Sequence, residues 1–575
     1  MLDIRLFTLY ILALAQGGKR GTMKKNPVID REQKPAVANL SNLYRIFTVP
    51  ESPDSTLGQI DQEISQNLSG FLRDRIVATE RDLAAIEQDF SSPHIPEQPT
   101  FVSDYTDFLM DTLVAQSVHT ASPGFVGHMA SALPSFMLPL SRIMTALNQN
   151  LVKIETSKAF TPMERQVLGM LHALVFGNDD DYYQTWMHNR DSALGAFCSG
   201  GTLANITALW VARNNLFPAD GGFRGIAREG LHRALKHYDC DDVAILISER
   251  GHYSFGKAAD LLGIGRDAIR AIPTDGRNRI DLGALEQTLD RLKRENTRVI
   301  SLVGIAGTTE TGNVDPLDKL ADIAAEQGCH FHVDAAWGGP TLFSSNHRHL
   351  LKGIERADSV TIDAHKQLYV PMGAGMVLFR NPASPSSIEH HAEYILRKGS
   401  KDLGSHTLEG SRPGTAMLVH SALNIIGRKG YELLIDQGIQ RAREFAGMID
   451  AHPEFELVTE PELNLLTYRH VPAAVQAALL QADGERRSAI NEHLDKLTKR
   501  IQKSQRAAGR SFVSRTRLSP QQHGDDVITV FRVVLANPLT TPQILRDMLR
   551  EQLRIAAEDA RAREILADLE QLTAG

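Results

Sequence analysis

Cysteine is scarce: Cys198, Cys240 and Cys329 are the only three in 575 residues. They are too few and too scattered for a disulfide framework, which points to a reducing compartment, the cytoplasm. Basic excess is missing as well. With 62 Lys and Arg against 69 Asp and Glu, the net charge is −7, so no surplus exists to neutralise phosphates and no nucleic-acid partner is expected. Long apolar runs are also missing. Leu6 to Ala15 is apolar for ten residues, whereas a helix needs about 20 to cross a bilayer; no membrane association is expected. Its flanks, Arg5 offset by Asp3 before it and Ala13-Leu14-Ala15 at its end, make a weak signal peptide. Residues 1–22 are read instead as a non-native extension, with the native chain starting at Met23. What remains is 42% hydrophobic and 23% charged, the make-up of a folded, soluble protein.

Punctuation sets the organisation. A polar stretch with helical segments, such as Leu72 to Asp89, leads to prolines at 93, 96 and 99, a linker signal. A Gly/Pro-rich stretch from Pro123 follows, then a helix expected over about Ser141 to Ser157. Thr161-Pro162-Met163-Glu164 reads as the next helix start: a Thr cap, Pro at the first position, Glu three residues after the cap. Short apolar runs then alternate with helical stretches. The runs are Val243–Ser248, Val299–Val303, Phe331–Val333, Val360–Ile362 and Met376–Phe379; the helices include Leu285–Arg294 and Pro316–Gln327. That alternation predicts an α/β fold with a mostly parallel central sheet. From about Thr415 the texture changes to a charged helix (Ser488–Ala507), two strands (FVSRTRL and VITVFRVVLAN) and a helix from Pro542, a small α+β C-terminal domain.

Four segments carry candidate chemistry. Ser199-Gly200-Gly201-Thr202-Leu203-Ala204-Asn205 runs into an apolar helix, and free N–H groups at a helix start suit a phosphate. His252 follows the strand VAILIS, at the strand end where α/β proteins bind ligands, and can stack on an aromatic ring. Asp334 ends an apolar strand in FHVDAAWGG, and a buried carboxylate there needs a cation such as a pyridinium N–H. Lys366, in Asp363-Ala364-His365-Lys366, again follows a strand, and a buried lysine readily forms a Schiff base. Each has a plainer reading alone: a Gly-rich helix entry, a loop histidine, a helix cap, a surface lysine. Their order and spacing together favour pyridoxal phosphate. One rival lies in the same strand, where His330, His332 and Asp334 share a face with metal-ligand spacing, as in a metal hydrolase.

With these segments in view, the chain resembles the group II pyridoxal-dependent decarboxylases. The resemblance rests on SGGTLAN, ERGH, GTTETGNVDP, HVDAAWGG followed about thirty residues later by DAHK, SRPG at Ser411 to Gly414, and FRVVLANPLTT; it runs from about Phe101 onward. It implies a pyridoxal-phosphate-dependent transferase-like fold (aspartate aminotransferase type, fold type I) and a homodimer. Residues 23–160 would form a helical segment with the substrate and dimer region, 161–414 the large cofactor domain and 415–575 the small C-terminal domain.

The same resemblance implies roles. Lys366 would be the Schiff-base lysine, Asp334 the partner of the pyridine nitrogen and His252 the stacking group. Gly201, Thr202 and His365 would hold the phosphate, with Thr309 and Ala336 near the ring and Asn205 supporting the site. Tyr394, in a lid-like stretch, would return the proton. Phe125, His128 and Arg412 would contact substrate, Arg412 through a carboxylate. The segment Gly124 to Gln166 is similar to the aspartate 1-decarboxylase branch of the family. That implies α-decarboxylation of L-aspartate to β-alanine, the pantothenate precursor, with glutamate as the alternative. The family often begins its substrate segment with His-Pro and a Phe, whereas here it is Ser122-Pro123-Gly124-Phe125 with His128 three residues on, a departure that makes the substrate side less transferable than the cofactor side; His128 stands where the family often has a glutamine. Rivals on the same cofactor are an aminotransferase or a carbon–carbon lyase.

Overall fold

The computed structural model describes residues 77–78, 81–392, 396, 399–520, 523–524 and 526–574. The extension 1–22 and the start at Met23 lie outside the described residues. The chain divides into two compact units, one of residues 1–65 with 83–115 and one of residues 66–82 with 116–575. The described part of the first is a helix over Leu83–Asp89, then, beyond the linker prolines, Val102–Phe108 widening into a π-type turn over Leu109–Val114. Phe108 packs between Phe90 and Tyr105, with ring centroids 5.8 Å from each.

The second unit is built on a seven-stranded sheet. In chain order the strands are β1 (Gly195–Cys198), β2 (Asp242–Ser248), β3 (Ile269–Ile272), β4 (Thr297–Ile305), β5 (His330–Asp334), β6 (Ser359–Asp363) and β7 (Gly375–Phe379), arranged β1-β7-β6-β5-β4-β2-β3. β7 runs antiparallel to both neighbours and the other pairs are parallel, so six strands end at one edge. Helices cover both faces, which is why β5, β6 and β7 are buried almost throughout on both faces, polar side chains of β5 and β6 included. The helix Leu282–Arg294 shows how sequence sets this layer. Asp281 caps it by accepting from the Ala284 N–H at 2.8 Å, and Leu285, Leu289 and Leu292 form one buried stripe.

A second, antiparallel sheet follows, of β8 (Phe455–Thr459), β9 (Leu465–His470), β10 (Ser514–Leu518) and β11 (Ile528–Val534) in the order β10-β11-β9-β8. It packs with helices over Gly484–Ala508, Pro542–Glu558 and Ala560–Ala574. The helix leading into it, Ala416–Asp450, is broken at Gly427, whose φ of 68° only glycine adopts freely. Core residues from this half, including Leu463, Leu465, Val534 and Ala536, belong to the same apolar cluster as β4 to β7.

The structure corrects three local expectations. The helix expected over 141–157 is two pieces, Met137–Leu147 and Ile154–Ser157, because Asn148 takes a left-handed φ of 43° and closes the first. Thr161 does not cap the next helix, which starts at Phe160; its hydroxyl meets Ser157 Oγ at 2.6 Å, inside the protein. β1 and β3 were not expected as strands.

Asn148 gives a direct test of that helix end. Asn148→Gly should leave stability unchanged or slightly raised, while Asn148→Val should lower it by about 1–2 kcal/mol, the cost of a left-handed conformation for a residue with a bulky Cβ. The shift in urea midpoint reads this out, and equal midpoints for the two variants would contradict the cap.

Candidate active site

The shared edge of the parallel strands gathers the expected segments, because each follows a strand that ends there. Ser199 to Thr202 leave β1, His252 follows β2, Thr309 follows β4, Asp334 ends β5, and Asp363 to Lys366 leave β6. They line one cavity of about 530 Å³ together with Asn205, Ala336, Trp337, His128 and Arg532. A volume in this range fits a cofactor with a small substrate.

The β6 exit is tightly built. Lys366 Nζ lies 3.1 Å from Asp363 Oδ2, and His365 Nε2 is 3.7 Å from the same oxygen while its Nδ1 donates to Ala374 O at 2.9 Å. Asp363 is buried, and its other oxygen has no hydrogen-bond partner among the described residues. Gly201 is required beside it: a Cβ there would sit 2.7 Å from Asp363 Oδ2. Gly201 also opens a 16-residue helix, Gly201–Leu216, whose first N–H groups have no partner within the helix and favour an anion.

At the end of β5, Asp334 accepts from Asn205 Nδ2 at 2.9 Å and from the Ala336 N–H at 3.1 Å. Both partners are donors, so they suit the ionised carboxylate. His252 is held by Ser254 Oγ at 2.9 Å, and burial leads the causes that lower its pKa, which favours neutral imidazole. The residues present therefore fit a phosphorylated aromatic aldehyde with a basic ring nitrogen: an amine for the aldehyde, a carboxylate for the nitrogen and a helix start for the phosphate.

Arg532 is the site residue that the sequence reading missed. It sits in the middle of β11, wholly buried on both faces, and reaches the cavity from the second sheet. Its Nε donates to Thr309 O at 2.6 Å and its Nη1 to Gly127 O and Ser514 Oγ at 3.3 Å, while Nη2 is buried with no partner among the described residues. Burial pulls its pKa down to about 10, still well above neutrality, with Glu310 as the offsetting charge. The available signal was a lone arginine inside the apolar run VITVFRVV. His128 shares the cavity; its pKa is lowered by burial first, then by Arg532, Lys366 and His365, so it offers a hydrogen bond rather than a charge.

Other expected residues lie elsewhere. Phe125 is buried and stacks on Phe512, centroids 5.2 Å apart, outside the cavity lining. Arg412 does not face a substrate: both its terminal nitrogens donate to the carboxylate of Glu164, and the pair is buried. Tyr394 lies outside the described residues. His330 and His332 do not converge with Asp334 as metal ligands. Their Nε2 and Nδ1 both meet Ser359 Oγ, at 2.7 and 2.8 Å, and among the described residues no cluster of three His, Cys, Asp or Glu could hold a metal ion.

Comparison with known proteins agrees with this geometry. Residues 84–471 match the model of the pyridoxal-dependent decarboxylase conserved domain. The chain is 63% identical over 526 residues to an aspartate 1-decarboxylase of Aliivibrio fischeri, covering 92% of this chain and 96% of that protein. It is 30% identical over 455 residues to a cysteine sulfinic acid decarboxylase of Mus musculus, 78% and 85% of the two chains. The solved structure of mouse CSAD superposes with a TM-score of 0.74 at 26% identity, over 86% of this chain and 98% of that one.

The buried Arg412–Glu164 pair makes a prediction independent of catalysis. Glu164→Ala leaves a buried guanidinium unpaired and should cost about 3–5 kcal/mol, whereas replacing both residues by apolar ones of similar size should recover most of that loss. Denaturation midpoints decide it; a double variant no more stable than the single one would contradict the pairing.

Proposed function

The chain belongs to the pyridoxal-dependent decarboxylase family, and from that premise we propose that it removes the α-carboxyl group of L-aspartate as carbon dioxide and leaves β-alanine. Arg532 is the observation that carries the choice of an acidic substrate. A guanidinium that lines the cavity of Lys366 and keeps its charge there suits a carboxylate. That carboxylate is the one the product keeps. The departing carboxylate loses its charge as it becomes carbon dioxide, so an ion pair to it would favour the ground state over the transition state. Arg532 on the side-chain carboxylate avoids this cost and selects acidic side chains. The 63% identity to an aspartate 1-decarboxylase supports aspartate over longer acids.

The remaining roles follow from position. Pyridoxal phosphate, when bound, supplies the sink for the electron pair released at the α-carbon. Lys366 would hold it through its side-chain amine. Gly201, Thr202 and His365 hold the phosphate, and Asn205 supports Asp334. Asp334, ionised between its two donors, accepts from the ring N–H and keeps that nitrogen protonated. His252, Ala336 and Thr309, which line the same cavity, would lie beside the ring. Tyr394 returns a proton to the α-carbon. We read Phe125 as packing that shapes the wall carrying His128.

We infer a homodimer in the cytoplasm. Ile143 and Leu147, one turn apart on the helix Met137–Leu147, are about half exposed and offer an apolar face to a second copy. The three cysteines are unpaired, in keeping with a reducing compartment. Among the described residues no helix is long and apolar enough to cross a membrane.

Turnover on aspartate, glutamate, cysteine sulfinate, 2,4-diaminobutyrate and tyrosine tests the assignment. Aspartate should have the highest kcat/KM. The margin over glutamate should be modest, since one methylene is worth about 1–3 kcal/mol. Arg532→Met should reduce kcat/KM for aspartate at least about thirtyfold, the loss expected when one member of a buried charge pair is removed. It should affect tyrosine far less. Higher efficiency on any other substrate would overturn the choice of aspartate, and an equal loss on tyrosine would overturn the role of Arg532.

A further inference from the structure

A buried line of hydrogen bonds runs along β5 and β6 into the cavity, and its hydrogens can be placed one by one. Two backbone donors anchor it: the Ala336 N–H on Asp334 Oδ1 at 3.1 Å and the Ser254 N–H on His252 Nδ1 at 3.3 Å. A ring nitrogen that accepts from a backbone N–H carries no proton, so neutral His252 is protonated at Nε2. The Ser254 hydroxyl, 2.9 Å from the same Nδ1, must then donate to it, which leaves its oxygen to accept. Asn205 Nδ2 fills that role at 3.2 Å and donates its second hydrogen to Asp334 Oδ2 at 2.9 Å.

With the Asn205 nitrogen committed twice, its oxygen can only accept, and His332 donates to it from Nε2 at 3.1 Å. His332 then has no proton on Nδ1. The Ser359 hydroxyl donates there at 2.8 Å, and the Ser359 oxygen accepts from His330 Nε2 at 2.7 Å. Burial holds His332 and His330 far below the ordinary histidine value, at about 3 and about 4, so each carries the single proton that this assignment needs. Asn205, Ser254, His332 and Ser359 are all essentially inaccessible to solvent. Turning the Asn205 amide over would set its oxygen against the Asp334 carboxylate, two acceptors face to face, and that arrangement is favourable only when Asp334 is protonated.

We propose that His332, acting through Asn205, is a positioning residue that fixes Asp334 as an ionised acceptor in the cofactor cavity. Ser359 and His330 fix the tautomer of His332 in turn. The inference rests on the cofactor reading above and deepens it: the pyridine nitrogen meets a carboxylate whose charge state is set from within the sheet.

The test uses the full chain stripped of cofactor and titrated with pyridoxal 5′-phosphate, reading Kd and the absorption band of the bound cofactor, with a thermal midpoint for each variant. Asn205→Asp, which loses the hydrogen bond to the Asp334 carboxylate, and His332→Leu, which releases the Asn205 amide that makes it, should each weaken binding at least about tenfold and shift the band. His332→Gln keeps a donor near the Nε2 position and should bind within about threefold of the unaltered chain. A wild-type Kd and band in His332→Leu, or a loss in His332→Gln as large as in His332→Leu, would overturn the proposal. If these buried variants do not fold, Ser359→Ala carries the test by removing only a hydroxyl: a weaker Kd with a shifted band supports the line, and unchanged values overturn it. An unaltered chain that takes up no pyridoxal phosphate would instead overturn the cofactor reading.

Discussion

Two carboxylates, Asp334 and Asp363, end neighbouring parallel strands and are both buried, at 8% and 2% exposure. Taking two like charges out of water side by side is costly unless cations and hydrogen-bond donors are brought to them. Much of the surrounding architecture answers that constraint. Lys366 is placed three residues after Asp363 so that its amine returns to the carboxylate. Gly201 and Gly375 carry no Cβ because one would strike Asp363 oxygens at 2.7 and 2.6 Å. Asp334 receives two donors from within the protein and faces a cavity, where a protonated pyridine nitrogen is the cation that suits it.

The sheet makes the arrangement possible. Because β1, β2, β4, β5 and β6 all point the same way, five separate loops open at one edge, and groups more than a hundred residues apart, such as Asn205 and Asp334, become hydrogen-bond partners. The second sheet adds what the first lacks. Its strand β11 brings Arg532 to the cavity lining, so a guanidinium from the second sheet stands beside the strand-end residues of the first.

How much of this the sequence discloses depends on whether the cause is local. β2 and β4 to β7 announce themselves as apolar runs, and the residues that follow them, His252, Asp334 and Lys366, meet where strand-end logic places them. β1 is only Gly-Ala-Phe-Cys, with no β-branched residue, and β3 carries Arg270 between isoleucines, so neither has a clear strand signature. The helix end at Asn148 turns on one left-handed residue. Arg412 illustrates a different limit. A motif can mark an arginine as a candidate carboxylate binder, but the carboxylate it meets belongs to Glu164, 248 positions away, and no local pattern links the two. Arg532 fails in the opposite direction, since a lone charge in an apolar run reads as an outward-facing position until the strand is seen buried on both faces.

If the strand-end cavity works as proposed, the amine of Lys366 carries pyridoxal phosphate. The most direct measurement is to reduce the purified full chain with borohydride, digest it and locate the retained cofactor by mass spectrometry. The account predicts loss of the visible absorption band and a pyridoxyl-phosphate mass on the peptide containing Asp363-Ala364-His365-Lys366, fixed to Lys366. The label on another lysine, or an unlabelled Lys366 in a chain that had bound the cofactor, would contradict it.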